Sequence, residues 1–417
     1  MEKLKISWKP QFKHIVQAKK PQTKRLKIIH DRLNRALVQP LNSSKNKKAA
    51  LVLEDGTFFL GKGFGACRKL TGEVVFSTSM VGYPEALTDP SYKGQILALT
   101  YPLVGNYGVP PYDLNLGLPI YFESDRIQTS GLIIHELCEQ PYHWASTRTL
   151  DKWLQDENIP GISGVDTRRL TKKLRTHGVM LGIIQVCDEN QELDVDSLIK
   201  EAKNIPDPNA TDLVGEVSVK QPVHYKVDGK HTVVLIDCGV KNNIIRNLLK
   251  RSINVIRVPY DYSAKDILAF NPDGIFLSNG PGDPKKCVAT IETTRELVEK
   301  MPVMGICLGA QILALSQGGD TYKLKFGHRS QNQPALDLKT NRCYITTQNH
   351  GYAVDFDCFS KTPLACWFIN ANDKTVEGMR HKTKPVFAVQ WHPEASPGPY
   401  DTEFLFDEFE KNMEAKQ

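Results

Sequence analysis

Val303-Met304-Gly305-Ile306-Cys307-Leu308-Gly309-Ala310-Gln311 reads as a short apolar strand that runs into a tight turn and then a helix. Small residues at 305 and 309 let strand and helix close around a side chain held in a strained position, as in the Gly-x-Ser-x-Gly nucleophile elbow. The side chain held there is Cys307. A helix N-terminus favours the thiolate, which suits a nucleophile. The same position also suits a buried cysteine packed as a small hydrophobe.

Upstream, the same rhythm repeats. Residues 232–237, 254–258 and 274–277 are apolar runs of strand length, and 241–250, 263–270 and 290–300 are helical in pattern. Strands that alternate with helices argue for a parallel sheet covered on both faces. In such sheets the chemistry sits beyond the carboxyl ends of the strands, where Cys307 falls.

The first half has a different character. Residues 50–60 are two apolar runs around Asp55-Gly56, a hairpin signal. Residues 72–80 alternate like a strand, 82–94 are dominated by turn residues, and 96–99 are a short strand. Residues 150–157 and 166–176 read as helices, the second with Asp166 as N-cap and Gly178 as its stop. This half is a β-rich α/β module over 49–190. Residues 191–230, polar and broken by Pro206, Pro208 and Pro222, read as a linker, and 231–417 form the second domain.

A length of 417 residues suits two domains with an appended tail. The formal net charge of +6 is unevenly spread: residues 1–48 hold 14 Lys and Arg against 2 acidic residues, and the remainder holds 39 against 45. The body is therefore mildly acidic, with no basic stripe interleaved with aromatic residues, and nucleic acid is not an expected partner. The basic extension at 1–48 reads as either a disordered tail or a targeting segment. Nine scattered cysteines without a C-x-x-C pair, and no apolar stretch long enough for a membrane span, point to a soluble protein in a reducing compartment. The cytoplasm is expected, or a mitochondrion or plastid if 1–48 is a targeting segment.

Two further motifs belong with Cys307. In Gln390-Trp391-His392-Pro393-Glu394, Pro393 favours extended backbone at His392, and residues two apart then share a side. Glu394 can thus fix the tautomer of His392 and raise its basicity. Alone, a His-x-Glu pair is usually a surface pair; in the order Cys then His-x-Glu it becomes specific. Ser278-Asn279-Gly280-Pro281-Gly282-Asp283-Pro284 follows a strand and lacks the spacing of a phosphate cradle. Its glycines allow close backbone approach, and the amides of Gly282 and Leu308 are assigned as an oxyanion hole.

Together these motifs resemble the class I glutamine amidotransferases, which use a cysteine triad. The resemblance extends to Gly72-Glu-Val-Val-Phe-Ser-Thr-Ser-Met-Val-Gly-Tyr83, Leu87-Thr-Asp-Pro-Ser-Tyr92, Thr100-Tyr-Pro-Leu-Val-Gly-Asn-Tyr-Gly108 and Gly164-Val-Asp-Thr-Arg-Arg-Leu-Thr171. It continues in Phe326-Gly-His-Arg-Ser-Gln-Asn-Gln-Pro334, Gln348-Asn-His-Gly-Tyr-Ala353 and Pro393-Glu-Ala-Ser-Pro-Gly-Pro399. These stretches look like the small chains of carbamoyl-phosphate synthetase, over roughly residues 49–412.

The resemblance implies an α/β fold: an N-terminal β-rich α/β domain followed by an open, mostly parallel C-terminal sheet of the class I amidotransferase type. It implies Cys307 as nucleophile, His392 as base and Glu394 as the group orienting His392. It places the glutamine pocket on Ser91, Gly280, Gly282, Leu308, Gln311, Asn349, Gly351 and Tyr352. It further implies L-glutamine as substrate, ammonia delivery to a large subunit that uses bicarbonate and ATP, and no cofactor or metal on this chain. Two competing expectations are the glutaminase of another synthase and a non-catalytic regulatory subunit. Ala310, where many members carry His, is the one local departure bearing on the latter.

Overall fold

The computed structural model describes residues 47–415. The readings of 1–48 as disordered or targeting lie outside those residues, except that Lys48 already opens the first strand.

Seven strands close into a barrel: β1 (Lys48–Leu53), β2 (Phe58–Gly65), β3 (Lys69–Ser77), β4 (Gln95–Leu99), β5 (Gly131–Ile133), β6 (Pro160–Ser163) and β7 (Met180–Cys187), in the order β1-β7-β3-β4-β5-β6-β2. The expected hairpin joins β1 to β2. Gly56 takes φ 84°, and its amide donates to Leu53 O at 2.9 Å. Alternation along the strands sends Val74, Phe76, Ile96 and Ala98 into one apolar cluster and Val75, Leu97 and Leu99 into another. The barrel wall is thus buried on both sides, with Trp153 packed in the second of these clusters. The helices α2 (Leu150–Asp156) and α3 (Thr167–His177) lie where the sequence places them. The side chain of Asp166 accepts from the Arg169 amide at 2.8 Å, and Gly178 ends α3.

Two expectations need correction. Residues 82–94 are not turn alone: α1 (Tyr83–Thr88) is helical and Pro90–Tyr92 forms a 3-10 turn. Pro84 fits the first turn of a helix, where its missing N–H costs no bond, and Asp89 starts the next turn by accepting from the Ser91 amide at 2.9 Å. Residues 191–230 likewise carry structure: α4 (Val195–Ala202), α5 (Leu213–Val217) and strand β8 (Val223–Tyr225). Each of these helices starts at an aspartate whose side chain satisfies a first-turn amide, Asp194 for Ser197 and Asp212 for Gly215, each at 2.9 Å.

The remainder is one ten-stranded sheet. Its centre is parallel: β10 (Ile253–Pro259), β9 (His231–Asp237), β11 (Gly274–Leu277), β12 (Val303–Ile306) and β17 (Val386–Val389). Antiparallel β8 flanks β10 on one edge. On the other side β16 (Val376–His381), β15 (Leu364–Asn370), β13 (Thr321–Asp337) and β14 (Cys343–Val354) continue the sheet antiparallel. The parallel strands are apolar throughout because both faces are covered. Val234, Ile236, Ile275 and Val303 pack on one face, and Val233, Leu235, Phe276, Met304 and Ile306 on the other. The covering helices are α6 (Asn242–Lys250), α7 (Ala264–Leu268), α8 (Val288–Val298), α9 (Leu308–Ser316) and α10 (Phe404–Glu414). Among the described residues no helix is long and apolar enough to cross a membrane.

The long pair β13–β14 reaches back to the barrel. Thr78 N donates to Arg329 O at 3.1 Å and Val179 N to Lys325 O at 2.9 Å. Register shifts between Lys323 and His328 and between Ser330 and Gln333 twist this pair where it meets the carboxyl end of β12.

Candidate active site

β12 delivers Cys307 into left-handed backbone, φ 55° and ψ −106°, before α9 begins. A non-glycine residue with positive φ is strained. Tight packing holds it there. A Cβ added at Gly309 would lie 2.3 Å from Leu277 O, and one at Gly305 would lie 2.8 Å from Gly309 O. The Cys307 amide donates to Val389 O of the neighbouring strand at 2.9 Å. Its thiol is buried, with Sγ 3.7 Å from Asn349 O.

His392 lies just past β17, its amide bonded to Thr347 O at 2.9 Å. Its Nδ1 is 2.7 Å from Glu394 Oε1, so the carboxylate fixes Nδ1 as the protonated nitrogen and leaves Nε2 for chemistry. Both side chains are buried. Nε2 makes no hydrogen bond of ordinary length among the described residues, and the Cys307 thiol is near enough to act on it.

A residue the sequence reading missed completes the electrostatics. Lys241, at the cap of α6, is buried, with Nζ 3.1 Å from Glu394 Oε1 and 2.9 Å from Ala395 O. Burial would lower the pKa of Lys241, but Glu394, Glu123 and Asp89 outweigh it and keep the amine charged. Burial likewise opposes the charged forms of its neighbours. Against it, Lys241 and His392 pull the Glu394 carboxyl down to about 2, and Glu394 lifts the His392 imidazole to about 10. The imidazole beside Cys307 therefore holds a proton tightly, and only its neutral form can act as a base.

One pocket, about 480 Å³ with the space open to solvent included, is lined by Ser91, Gly280, Gly282, Cys307, Gln311, Asn349, Gly351 and Tyr352. Leu308 does not line it. It is buried at the start of α9, where a first-turn amide has no intrahelical acceptor, and its side chain packs under Gly280. A Cβ at Gly280 would lie 2.0 Å from Cys238 O, so only glycine fits between that strand end and Leu308. Gln311, besides lining the pocket, donates through Nε2 to Tyr352 O at 2.8 Å and to Gln390 Oε1 at 3.1 Å, tying the pocket wall together.

Ser91 comes from the barrel half and is tied in by a second missed residue, Asp89. Asp89 Oδ2 accepts from Asn349 Nδ2 at 2.9 Å, while Asn279 Nδ2 donates to Ser91 Oγ at 2.9 Å. Single polar residues such as Lys241 and Asp89 carry no pattern signal; only their burial marks them. Ala310 is buried in the apolar cluster under α9. A second cavity is lined by His392, Lys241, Asp89, Glu85 and Thr347, and Asn349 lines both cavities.

A strained cysteine elbow, a buried His–Glu pair and a polar pocket on a parallel sheet define a triad amidotransferase of class I. The glutamine amidotransferase class-I family matches residues 234–412, and the carbamoyl-phosphate synthase small chain, CPSase domain, matches residues 51–184. The carbamoyl phosphate synthase small chain of Methanopyrus kandleri is 51% identical over 87% of this chain and 98% of its own. The arginine-specific small chain of Saccharomyces cerevisiae is 47% identical over 90% and 91%, and the pyrimidine-specific one of Halalkalibacterium halodurans 47% over 89% and 98%. The chain belongs to the carbamoyl phosphate synthase small chains.

Proposed function

We propose that this chain is the glutaminase subunit of a carbamoyl-phosphate synthase, hydrolysing L-glutamine at Cys307 and delivering ammonia to a large subunit. The observation that carries this reading is the buried His392–Glu394 pair, 2.7 Å apart, beside a cysteine in strained backbone.

The chemistry follows from the geometry. His392 Nε2 takes the Cys307 proton, and the thiolate attacks the side-chain carbonyl carbon of glutamine. The resulting oxyanion is held by the amides of Gly282 and Leu308. His392 returns its proton to the departing nitrogen, the C–N bond breaks, and ammonia leaves a glutamyl thioester. Water then gives a proton to His392 as it attacks the thioester. The C–S bond breaks, the proton returns to sulfur, and glutamate is released. Glu394 positions His392 and stabilises its charged form, and Lys241 holds Glu394 in place.

Ser91, Gly280, Gly282, Leu308, Gln311, Asn349, Gly351 and Tyr352 form or support the glutamine pocket. The cavity on the His392 side is the route by which ammonia leaves. The barrel domain, residues 49–190, completes the pocket through Ser91 and forms much of the large-subunit interface. The sheet domain, residues 231–417, holds the triad, and 191–230 joins them. The large subunit would bind ATP and bicarbonate. Nine free cysteines suit a reducing compartment. The cytoplasm is proposed, with a mitochondrion or plastid as the alternative if residues 1–48 direct the chain there.

The test is glutamine hydrolysis by the chain with its large subunit, ATP and bicarbonate. Wild type should release glutamate, and Cys307→Ser should lose activity by about 10³-fold or more. Wild type as inert as the mutant would defeat the reading.

A further inference from the structure

Arg329 lies on β13 opposite Asn349, and its side chain lines the pocket that contains Cys307. It is only 5% exposed. Nη1 donates to Phe326 O at 2.8 Å, whereas Nε is buried with no partner among the described residues. Two glycines make room for this guanidinium. A Cβ at Gly327 would lie 2.4 Å from Nη1, and one at Gly351 would lie 3.3 Å from Nη2. Burial pulls the Arg329 pKa down, and the neighbouring Glu73, Tyr92 and Cys307 do not offset it. A buried cation with an unused donor is expensive unless an anion arrives to pair with it.

The same pocket holds the opposite polarity. Glu73 on β3 is buried and accepts from Lys323 Nζ at 2.6 Å and from Gln95 Nε2 at 3.1 Å. Gln95 also lines the pocket, and its Oε1 is buried without a partner. One wall thus offers an unused cationic donor, and another offers an unused acceptor next to a carboxylate. The head group of a free α-amino acid supplies both complements: a carboxylate that accepts and an ammonium that donates. A glutamine inside a peptide supplies neither.

We propose that Arg329 binds the α-carboxylate of L-glutamine and that Gln95 Oε1, with Glu73 beside it, receives the α-ammonium, so that the pocket selects free glutamine. This assignment rests on the reading of the pocket as the glutamine site. It adds charge recognition to the hydrogen bonds offered by Ser91 and Asn349.

The test measures kcat and KM of the full chain in complex with its large subunit on three substrates: L-glutamine, its α-amide and N-acetyl-L-glutamine. Arg329→Gln should raise KM for glutamine about 10- to 100-fold, the effect of losing a charge-assisted hydrogen bond, and act far less on kcat. It should also abolish the wild-type preference for glutamine over the α-amide, which lacks the carboxylate, while sparing the preference over N-acetylglutamine. Gln95→Leu should do the reverse, and Arg329→Lys should recover part of the lost preference. Alkylation of Cys307 by neutral iodoacetamide at the wild-type rate will show that a variant is folded. If folded Arg329→Gln keeps the wild-type preference ratios, Arg329 is only structural and the proposal falls. A wild-type complex that hydrolyses none of the three substrates overturns the glutamine-site reading itself and the proposal with it.

Discussion

At the scale of single residues, the buried row Lys241–Glu394–His392 sets the terms of the chemistry. One carboxylate sits between two cations, all within hydrogen-bond range along the row. Removing one partner of a buried ion pair leaves the rest uncompensated. Lys241→Met should therefore destabilise the fold by about 3 kcal/mol, read by urea unfolding, and lower glutaminase kcat/KM, because Glu394 loses the contact that fixes it under His392. Retention of full stability and activity would remove Lys241 from the site. A pH dependence also follows. Burial alone would depress His328, but Asp373 at 2.8 Å and Glu377 lift it to about 9, and His392 is held at about 10. Both imidazoles have folded pKa values above the unfolded one, so each contributes stability that is complete below about pH 6.5 and lost as pH rises through the folded value. Unfolding free energy should fall across pH 6.5 to 10, and His328→Asn should flatten the earlier part of that fall. An unchanged profile in His328→Asn would refute the charge assigned to it.

At the scale of elements, the elbow between β12 and α9 is the most tightly constrained joint. Gly309 faces Leu277 O of the adjacent strand with no room for a methyl group. Gly309→Ala should cost about 1–3 kcal/mol as an overpacking substitution and pull Cys307 out of register, lowering kcat at the same time. Denaturant midpoints and glutamine turnover on one preparation would test both. This joint was readable beforehand because its apolar strand, small residues and following helix are local in sequence. The parallel strands were readable for the same reason: burial on both faces leaves continuous apolar runs. The antiparallel half of the sheet was not, since β13 and β14 interleave Lys323, Arg329 and Asn349 with apolar residues and turn these polar groups toward the site. The helix at Tyr83–Thr88 was hidden by Gly82 and Pro84, which signal a turn locally but here mark a helix start. The grouping of Cys307, His392 and Glu394 was legible from their motifs. Glu73, Asp89, Lys241 and Arg329 were not, because contacts distant in sequence decide their burial.

At the scale of the whole molecule, the pocket around Cys307 lies where barrel and sheet meet. The barrel half supplies Ser91 and Glu73, and the sheet supplies Cys307, Arg329 and Asn349. One contact across this seam is the bond from Asn349 Nδ2 to Asp89 Oδ2 at 2.9 Å, between residues 260 apart in sequence. Asp89 also holds the Ser91 amide, and Asn349 offers its carbonyl oxygen to the Cys307 thiol, so the bond links substrate pocket to nucleophile. If the seam works as a unit, damage from either side should be much the same as damage from both. Asp89→Ala and Asn349→Ala should each lower kcat/KM for glutamine, and the double variant should lose less than the product of the two effects. A hydrogen bond to a charged group predicts a coupling of about 1.5–3 kcal/mol in this cycle. Strictly multiplicative losses would mean that the two halves contribute to the pocket independently, and that their contact here does not organise it.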